Sequence, residues 1–456
     1  MKLLKTLCFA TAALATAVTG SAAAQPSPAR PSVDWSMIDT IVQRIETPRI
    51  PDRTVRVQGR ADGRTDARPA ITRAIDQASR AGGGRVVLGP GVWFSKGPVV
   101  LKSRIELHLE EGATLLFSPE PADYLPLVKT RWEGTEMMGY SPLIYAAGVE
   151  DVAITGKGVI DGNAQSAFHP WAKQAEDDFV RLRRMGFNGV PLAQRVFGPG
   201  THLRPSIIQF LGAERVLLQD YTVKNSPFWV NHLVYTDHAT VRGIRVDSMF
   251  PNNDGVDVDS SSHVLIENST FRTGDDSVVV KSGRDLDGRT IGRPSQFVVV
   301  RGNDMGGEDG IALGSEMSGG IRHVFFTDNV LRKGTSAIRF KANLDRGGTV
   351  EDIGVRNMTV EDFGTLFWFQ LNYPGELGGN FPSTYRNIVF ENFKVQNVGT
   401  VFDAHAPSNA PLQNVLIKDV TIAAAKTPLV LENVADLRFE NLVIGGQRVD
   451  GQLNWK

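Results

Sequence analysis

The sequence predicts an all-β chain, a single-domain parallel β-helix with a short N-terminal capping helix. Two observations predict it. The first is a recurring octet, seen in Val216-Leu-Leu-Gln-Asp-Tyr-Thr-Val223, Val264-Leu-Ile-Glu-Asn-Ser-Thr-Phe271, Val324-Phe-Phe-Thr-Asp-Asn-Val-Leu331 and Ile353-Gly-Val-Arg-Asn-Met-Thr-Val360, with further copies starting at Ile388, Val415 and Leu437. Each copy puts apolar residues first and third and an Asn or Asp fifth: Asp220, Asn268, Asp328, Asn357, Asn392, Asp419 and Asn441. The second is what separates the copies, a repeat of roughly 22 to 35 residues holding short strand-like runs and no helix-length apolar periodicity. Such a unit suits one coil of a parallel β-helix, where successive coils stack and bury a shared core. Stacked Asn or Asp at one turn can then hydrogen-bond from coil to coil. A β-sandwich with irregular loops competes with this reading, but sandwiches do not usually repeat one motif in register over so much chain.

From the N-terminus, Lys2 and Lys5 flank an apolar run from Leu7 to Val18, and Ala22-Ala-Ala24 offers a small-residue cleavage site before Gln25. Residues 1–24 therefore read as a secretory signal, and the protein as exported, periplasmic or secreted. The run is short for a bilayer span and no later stretch approaches the required length, so membrane insertion is not expected. Cys8, the single cysteine, lies inside this segment, and Leu7 before it does not resemble a lipoprotein processing site. A mature chain without thiols excludes disulfides, thiolate metal sites and cysteine nucleophiles. Residues 25–51 read as a Pro-rich, then weakly helical extension with no assigned function, and residues 52–456 as the β-helix domain. Near its start, Thr65-Asp66 precedes Ala70, Ile71, Ala74, Ile75 and Ala78, a helical spacing ended by Gly82-Gly-Gly84. That helix would cover the open end of the solenoid. Net charge over the 456 residues is only −1, so no global field points to nucleic acid. Any polyanionic substrate must be held by local cations.

Acidic residues inside a strand-rich repeat need their own explanation, because Asp is depleted in strands and seldom buried unpaired. Pro251-Asn-Asn-Asp-Gly-Val-Asp257 is followed by Gly274-Asp-Asp-Ser277, then Glu308-Asp309, then Arg339-Phe-Lys341. Matching places in consecutive coils lie about 4.8 Å apart. Asp254, Asp257, Asp275, Asp276, Glu308, Asp309, Arg339 and Lys341 are therefore expected as one polar column on an outer face. Arg339 and Lys341, two apart in a strand, point to the same side, which suits clasping a carboxylate. The adjacent Asp275 and Asp276 need a bend to reach one cleft, and Gly274 permits it. Several carboxyls in one site cannot all ionise cheaply, so at least one should keep a proton to donate. Glycosidic hydrolysis needs that division between a protonated carboxyl for the leaving oxygen and an ionised one that activates water or attacks. Exposed turn acids and a calcium site are the competing readings of the same residues.

Taken in order, these motifs resemble glycoside hydrolase family 28, the pectin-cleaving polygalacturonases and rhamnogalacturonan hydrolases. The resemblance runs from Thr65-Asp66 through Leu107-His-Leu-Glu-Glu-Gly-Ala-Thr114 and Gly156-Lys-Gly-Val-Ile-Asp-Gly162 to the C-terminal coils. Asn252-Asn-Asp254 is similar to the family's Asn-Thr-Asp, Gly274-Asp-Asp276 to its Asp-Asp motif and Arg339-Phe-Lys341 to its Arg-Ile-Lys. The resemblance implies a right-handed β-helix and hydrolysis with inversion, requiring no metal or other cofactor. It implies Asp275 as general acid, Asp254 and Asp276 as the carboxylates activating water, and Arg339 and Lys341 as the pair gripping a sugar carboxylate beside the scissile bond. Inversion predicts carboxyls roughly 6.5 to 9.5 Å apart, although closer spacing does not exclude it. Asn252, Lys281, Arg204, His232 and Tyr373 are further candidate substrate-binding residues, and Trp132, Trp229 and Tyr373 could stack on sugar faces. One departure stands out. Counting back from Gly314-Ser-Glu316 puts Glu308 where the family carries His and Asp309 where it carries Gly. An added acid there should raise the coupled carboxyl pKa values and alter substrate or pH preference, so Glu308 and Asp309 join the candidates.

Gly314-Ser-Glu-Met-Ser-Gly-Gly320, Ser226-Pro-Phe-Trp229 and Thr130-Arg-Trp-Glu-Gly134 resemble bacterial exo-acting members. Long non-repeat segments, residues 119–145 and 163–205, could wall off one end of the cleft. The expected partner is a pectic polysaccharide or oligosaccharide containing galacturonate. Three alternatives stay open: a rhamnogalacturonan or substituted-pectin hydrolase, a calcium-dependent pectate lyase, and a noncatalytic carbohydrate-binding β-helix.

Overall fold

The computed structural model describes residues 30–373 and 377–455, so the expected signal segment lies outside the described residues. Short strands join into one hydrogen-bonded system of 30 strands, paired in parallel from coil to coil. Each coil supplies strands to three sheets around an apolar core, forming a right-handed parallel β-helix, the hand that parallel crossovers take. The front sheet stacks Ile144–Ala147, Ile208–Leu211, Asn231–Val234, Val256–Asp259, Val278–Lys281 and Asp309–Leu313. In register, Ile208, Asn231, Val256, Val278, Ile311 and Ile338 stack on one side. Strand alternation then turns Gln209, His232, Asp257, Val279, Ala312 and Arg339 the other way, beneath the cleft.

The Asn and Asp at the fifth place of the octet have a backbone cause. All seven adopt positive φ, between 53° and 68°, a conformation that these short polar side chains tolerate better than other non-glycine residues. The expected ladder forms between several coils: Asn357 Nδ2 donates to Asp328 Oδ1 at 3.0 Å, Asn392 to Asn357 at 2.8 Å and Asn441 to Asp419 at 2.8 Å. Gly243 and Gly302 occupy the same corner, with φ of 63° and 65°, and lie against Asp220 and Asn268. Glycine takes that conformation without an Asn signature, so the octet pattern passed over these two coils. A second corner stacks the rings of His238, His263, Phe297 and His323 at centroid distances of 5.0, 5.0 and 5.3 Å.

Both ends are covered. The predicted helix spans Arg68–Arg80 and buries Ala70, Ile71, Ala74, Ile75 and Ala78. Asp66 Oδ1 accepts the backbone N–H of Arg68 at 3.0 Å, one of the donors that a helix start leaves open. At the other end Gln447–Trp455 folds back antiparallel on Val434–Ile444 and covers the last parallel edge. Among the described residues no helix is long and apolar enough to cross a membrane.

The extension is more firmly attached than its composition suggests. A helix at Met37–Arg44 lies along the flank of the solenoid and buries Ile38 and Ile41 against Leu265, Val299 and Phe325. Trp35 Nε1 also donates to Glu391 Oε2 at 3.1 Å. Replacing Ile41 with Ala, at a site only 2% exposed, is expected to cost roughly 2–4 kcal/mol. Denaturant unfolding checks this, and a loss below about 0.5 kcal/mol would mean that the helix contributes nothing.

Candidate active site

Corners of consecutive coils deliver the acids. Asp254, Asp276 and Asp309 each stand two residues before an in-register residue of the core, namely Val256, Val278 and Ile311, and therefore stack. Backbone bonds knit the corner, with the Gly255 N–H donating to the Asp276 carbonyl and the Ser277 N–H to the Asp309 carbonyl, both at 2.9 Å. The chain bends at Gly274 and Asp275, as expected. Gly274 is required there by close approach, since a Cβ would lie 2.2 Å from the Phe250 carbonyl oxygen. One carboxylate oxygen each from Asp254, Asp275 and Asp276 lies within 4.8 Å of the others. Asp254 and Asp276 are 2% and 1% exposed, whereas Asp275 is half-buried at the opening.

The cations sit differently from the expected column. Ser336, not Arg339, pairs in register with Asp309. Arg339 and Lys341 lie further along the strand and reach back. Lys341 Nζ is 2.9 Å from both oxygens of Asp276 and 3.4 Å from Asp309 Oδ2. Arg339 Nη1 donates to Asp309 Oδ2 at 3.0 Å, its Nη2 to Gln370 Oε1 at 2.6 Å, and its guanidinium lies 4.0 Å over the Trp368 ring. Deeper in, Lys281 Nζ lies 3.0 Å from Glu316 Oε2 and 3.8 Å from Asp254 Oδ2.

Burial, then repulsion from Asp257, Asp275 and Asp276, pushes the Asp254 carboxyl well above the usual carboxylate range. Burial pushes Asp276 up to about 8 despite the pull of Lys341, and Asp275 and Asp309 add to it. Asp257 is raised chiefly by burial as well. Neither of its oxygens meets a fixed hydrogen-bond donor, so a proton held between Asp254 and Asp257 is the donor this pair lacks. The cluster consequently retains protons at neutral pH.

Other candidates prove to be supports. His232 is wholly buried, with Nδ1 2.9 Å from Gln209 Nε2 and Nε2 3.3 Å from Asp259 Oδ2, and offers no face to a sugar. Arg204 is 3% exposed and donates to the carbonyls of Pro227 and Pro251 and, at 2.6 Å, to Asn252 Oδ1. It thereby holds Asn252, whose N–H reaches Asp275 Oδ2 at 3.2 Å. Trp132 is stacked 4.9 Å from Phe228 inside a wall core with Phe179 and Trp229, so it is packing and not a sugar platform. The side chain of Tyr373 lies outside the described residues.

One side of the cleft is built by the two non-repeat segments. Val128–Trp132 and Thr135–Gly139 form an antiparallel hairpin whose two turn residues, Glu133 and Gly134, take φ of 38° and 77°, as a tight hairpin turn demands. At Gly134 a Cβ would meet Glu316 Cγ at 2.7 Å, so glycine lets the tip touch the site. Glu133 then meets Arg284 at 2.9 Å, and the helix Glu176–Phe187 adds Arg183. These residues and the acids enclose a cavity of about 150 Å³.

This architecture can be set against known proteins. The sequence pattern of Glycosyl hydrolases family 28 matches residues 197–441, more than half of the chain. The chain belongs to this family. It is 30% identical to a probable polygalacturonase of Vitis vinifera over 80% of this chain and 73% of that protein. An exo-poly-alpha-D-galacturonosidase of Dickeya chrysanthemi is 24% identical over 87% of this chain and 71% of its own length. Among solved structures, a hyperthermoactive exopolygalacturonase from Thermotoga maritima superimposes with a TM-score of 0.86 at 36% identity, covering 93% of this chain and all of that one. As a family member the chain is a glycoside hydrolase.

The departure from the family pattern resolves into two different residues. Glu308 is exposed at the lip, tied in by its N–H to the Asp275 carbonyl at 3.1 Å. Asp309 is wholly buried, and after burial itself, it and Asp275 are the acids that add to the raising of Asp276. Buried among its own cations, Asp309 presents no free face to substrate. Glu133, Arg183, Arg284, Glu316, Trp368 and Gln370 were not read as site residues. The motifs around Glu133 and Glu316 were visible, but nothing in sequence brings those two segments together.

Proposed function

We propose that the chain is an exo-acting hydrolase that cleaves galacturonate-containing chains with inversion, using Asp275 as general acid and Asp254 and Asp276 to hold the attacking water. The observation that carries this reading is the convergence of three carboxyls, one open and two sunk, in a cleft closed on one side. Asp275, at the opening, is the carboxyl that a glycosidic oxygen can reach. Oxygens of Asp254 and Asp276 no more than 4.8 Å apart can share one water at about 2.8 Å from each, which accommodates the short spacing. A carboxyl at the opening to donate the proton and a sunken pair to hold the water is the division of labour that the reaction requires. The wall of hairpin and helix supports removal of terminal units, and the exo-acting relatives support the same choice of substrate. Export follows from the sequence of residues 1–24.

Calcium-dependent elimination is disfavoured by the donor set. Both oxygens of Asp276 already face the Lys341 ammonium, and Asp254 faces Lys281, so a dication would compete with two fixed cations. The test is product analysis on oligomers of galacturonan and rhamnogalacturonan with a chelator present. Saturated monosaccharide should accumulate at an unchanged rate, and early proton NMR should find it in the anomer opposite to the linkage. An unsaturated ultraviolet-absorbing product, loss of activity on chelation or random internal cuts would each reject the reading.

A further inference from the structure

Arg339 and Lys341 are the cations best placed to grip a sugar carboxylate, yet the protein has already given them one. Asp309 Oδ2 lies 3.0 Å from Arg339 Nη1 and 3.4 Å from Lys341 Nζ, and its Oδ1 accepts the Ser336 hydroxyl. The other terminal nitrogen of Arg339 is bonded to Gln370, and Trp368 covers a face of the guanidinium. Both terminal nitrogens of the fork that would take a carboxylate in two parallel hydrogen bonds thus already carry a partner. Lys341 is likewise committed, at 2.9 Å to both oxygens of Asp276. A free substrate carboxylate arriving here would meet the Asp309 carboxylate, held ionised by Lys341 and Arg339 and already seated against both, and like charges set side by side oppose binding.

We infer that Asp309 is a specificity-determining residue that occupies the carboxylate seat of Arg339 and Lys341, so that the sugar unit bound there carries no negative charge. That unit is a neutral sugar or an esterified uronate within an otherwise acidic chain. The inference rests on the proposed hydrolase reading for its substrate, but not for its binding test. It also gives the departure at position 309 a purpose: an aspartate side chain supplies inside the protein the anion that the substrate would otherwise bring.

Binding is measured by calorimetry in an Asp275→Asn background, with trigalacturonate as free acid and as its full methyl ester. Asp309→Gly and Asp309→Asn are compared with the parent, the second keeping the side-chain volume where the first could loosen the corner. The parent should bind the ester at least as tightly as the acid, and either variant should shift the ratio of affinities toward the acid by about tenfold. A ratio that the variants leave unchanged, or no measurable binding of either ligand, overturns the inference. Cleavage of the same two ligands by the otherwise unmodified protein is assayed separately. Failure there with the ratio switch intact rejects the hydrolase reading alone.

Discussion

Asp275→Asn is expected to lower kcat on galacturonan oligosaccharides by roughly 10²–10⁴-fold, the usual contribution of a positioned acid, with little change in KM. The fold should survive, because the Asp275 carbonyl, not its carboxyl, receives the Thr273 hydroxyl at 2.9 Å and the Glu308 N–H at 3.1 Å. An asparagine oxygen can still accept from the N–H groups of Asn252 or Asp276, which now donate to the carboxylate at 3.2 and 3.0 Å. What asparagine cannot do is give a proton to the leaving oxygen. An aryl galacturonide whose phenolate leaves unprotonated removes that need, so the variant should recover most of its rate on it. Equal losses on both substrates would show that Asp275 positions and does not protonate.

The repeat was legible because its corner imposes a backbone demand on sequence. A positive φ selects Asn, Asp or Gly, and the Asn and Asp copies announced themselves in the octets, while Gly243 and Gly302 satisfied the same demand without the signature. The acids were legible because carboxylates in strands need a reason, and because Asp254, Asp276 and Asp309 keep the register of the coil they stand on. Side chains that reach along a strand were harder. Lys341 meets Asp276 across two coils by reaching back from further along its strand, and not through the in-register column that the spacing predicts. The wall is less legible still: Glu133 and Arg284 are brought together by a hairpin tip and a distant corner, 151 residues apart in sequence. His232 illustrates the opposite error, since strand alternation puts it on the cleft side, but Trp229 packs edge-on against it at 4.8 Å and Gln209, tied to the Arg131 carbonyl of the hairpin, meets its Nδ1.

Asp254→Asn should abolish turnover and, at neutral pH, raise thermal stability. Between pH 4 and neutrality an unfolded Asp254 gives up its proton, while the folded chain, with the carboxyl raised well above its ordinary 3.8, keeps it. The folded state therefore binds more protons over this window, and its stability falls as pH rises. Asparagine removes that liability and adds something, because its amide can donate to Asp257, whose oxygens have no fixed donor. Against this stands one lost attraction, to Lys281 at 3.8 Å, but that ammonium keeps Glu316 at 3.0 Å. The balance favours the variant, with Tm higher by on the order of 2–5 °C at pH 7 and a gain that shrinks by about pH 3, where the native carboxyl is mostly protonated in both states. Scanning calorimetry at the two pH values checks it, alongside an activity loss of roughly 10²-fold or more. A gain of equal size at both pH values would assign the effect to packing, and a lower Tm at pH 7 would mean that Asp254 is ionised and well paired in the resting site. Stability gained together with activity lost is the signature of a group held at a cost for the reaction it performs.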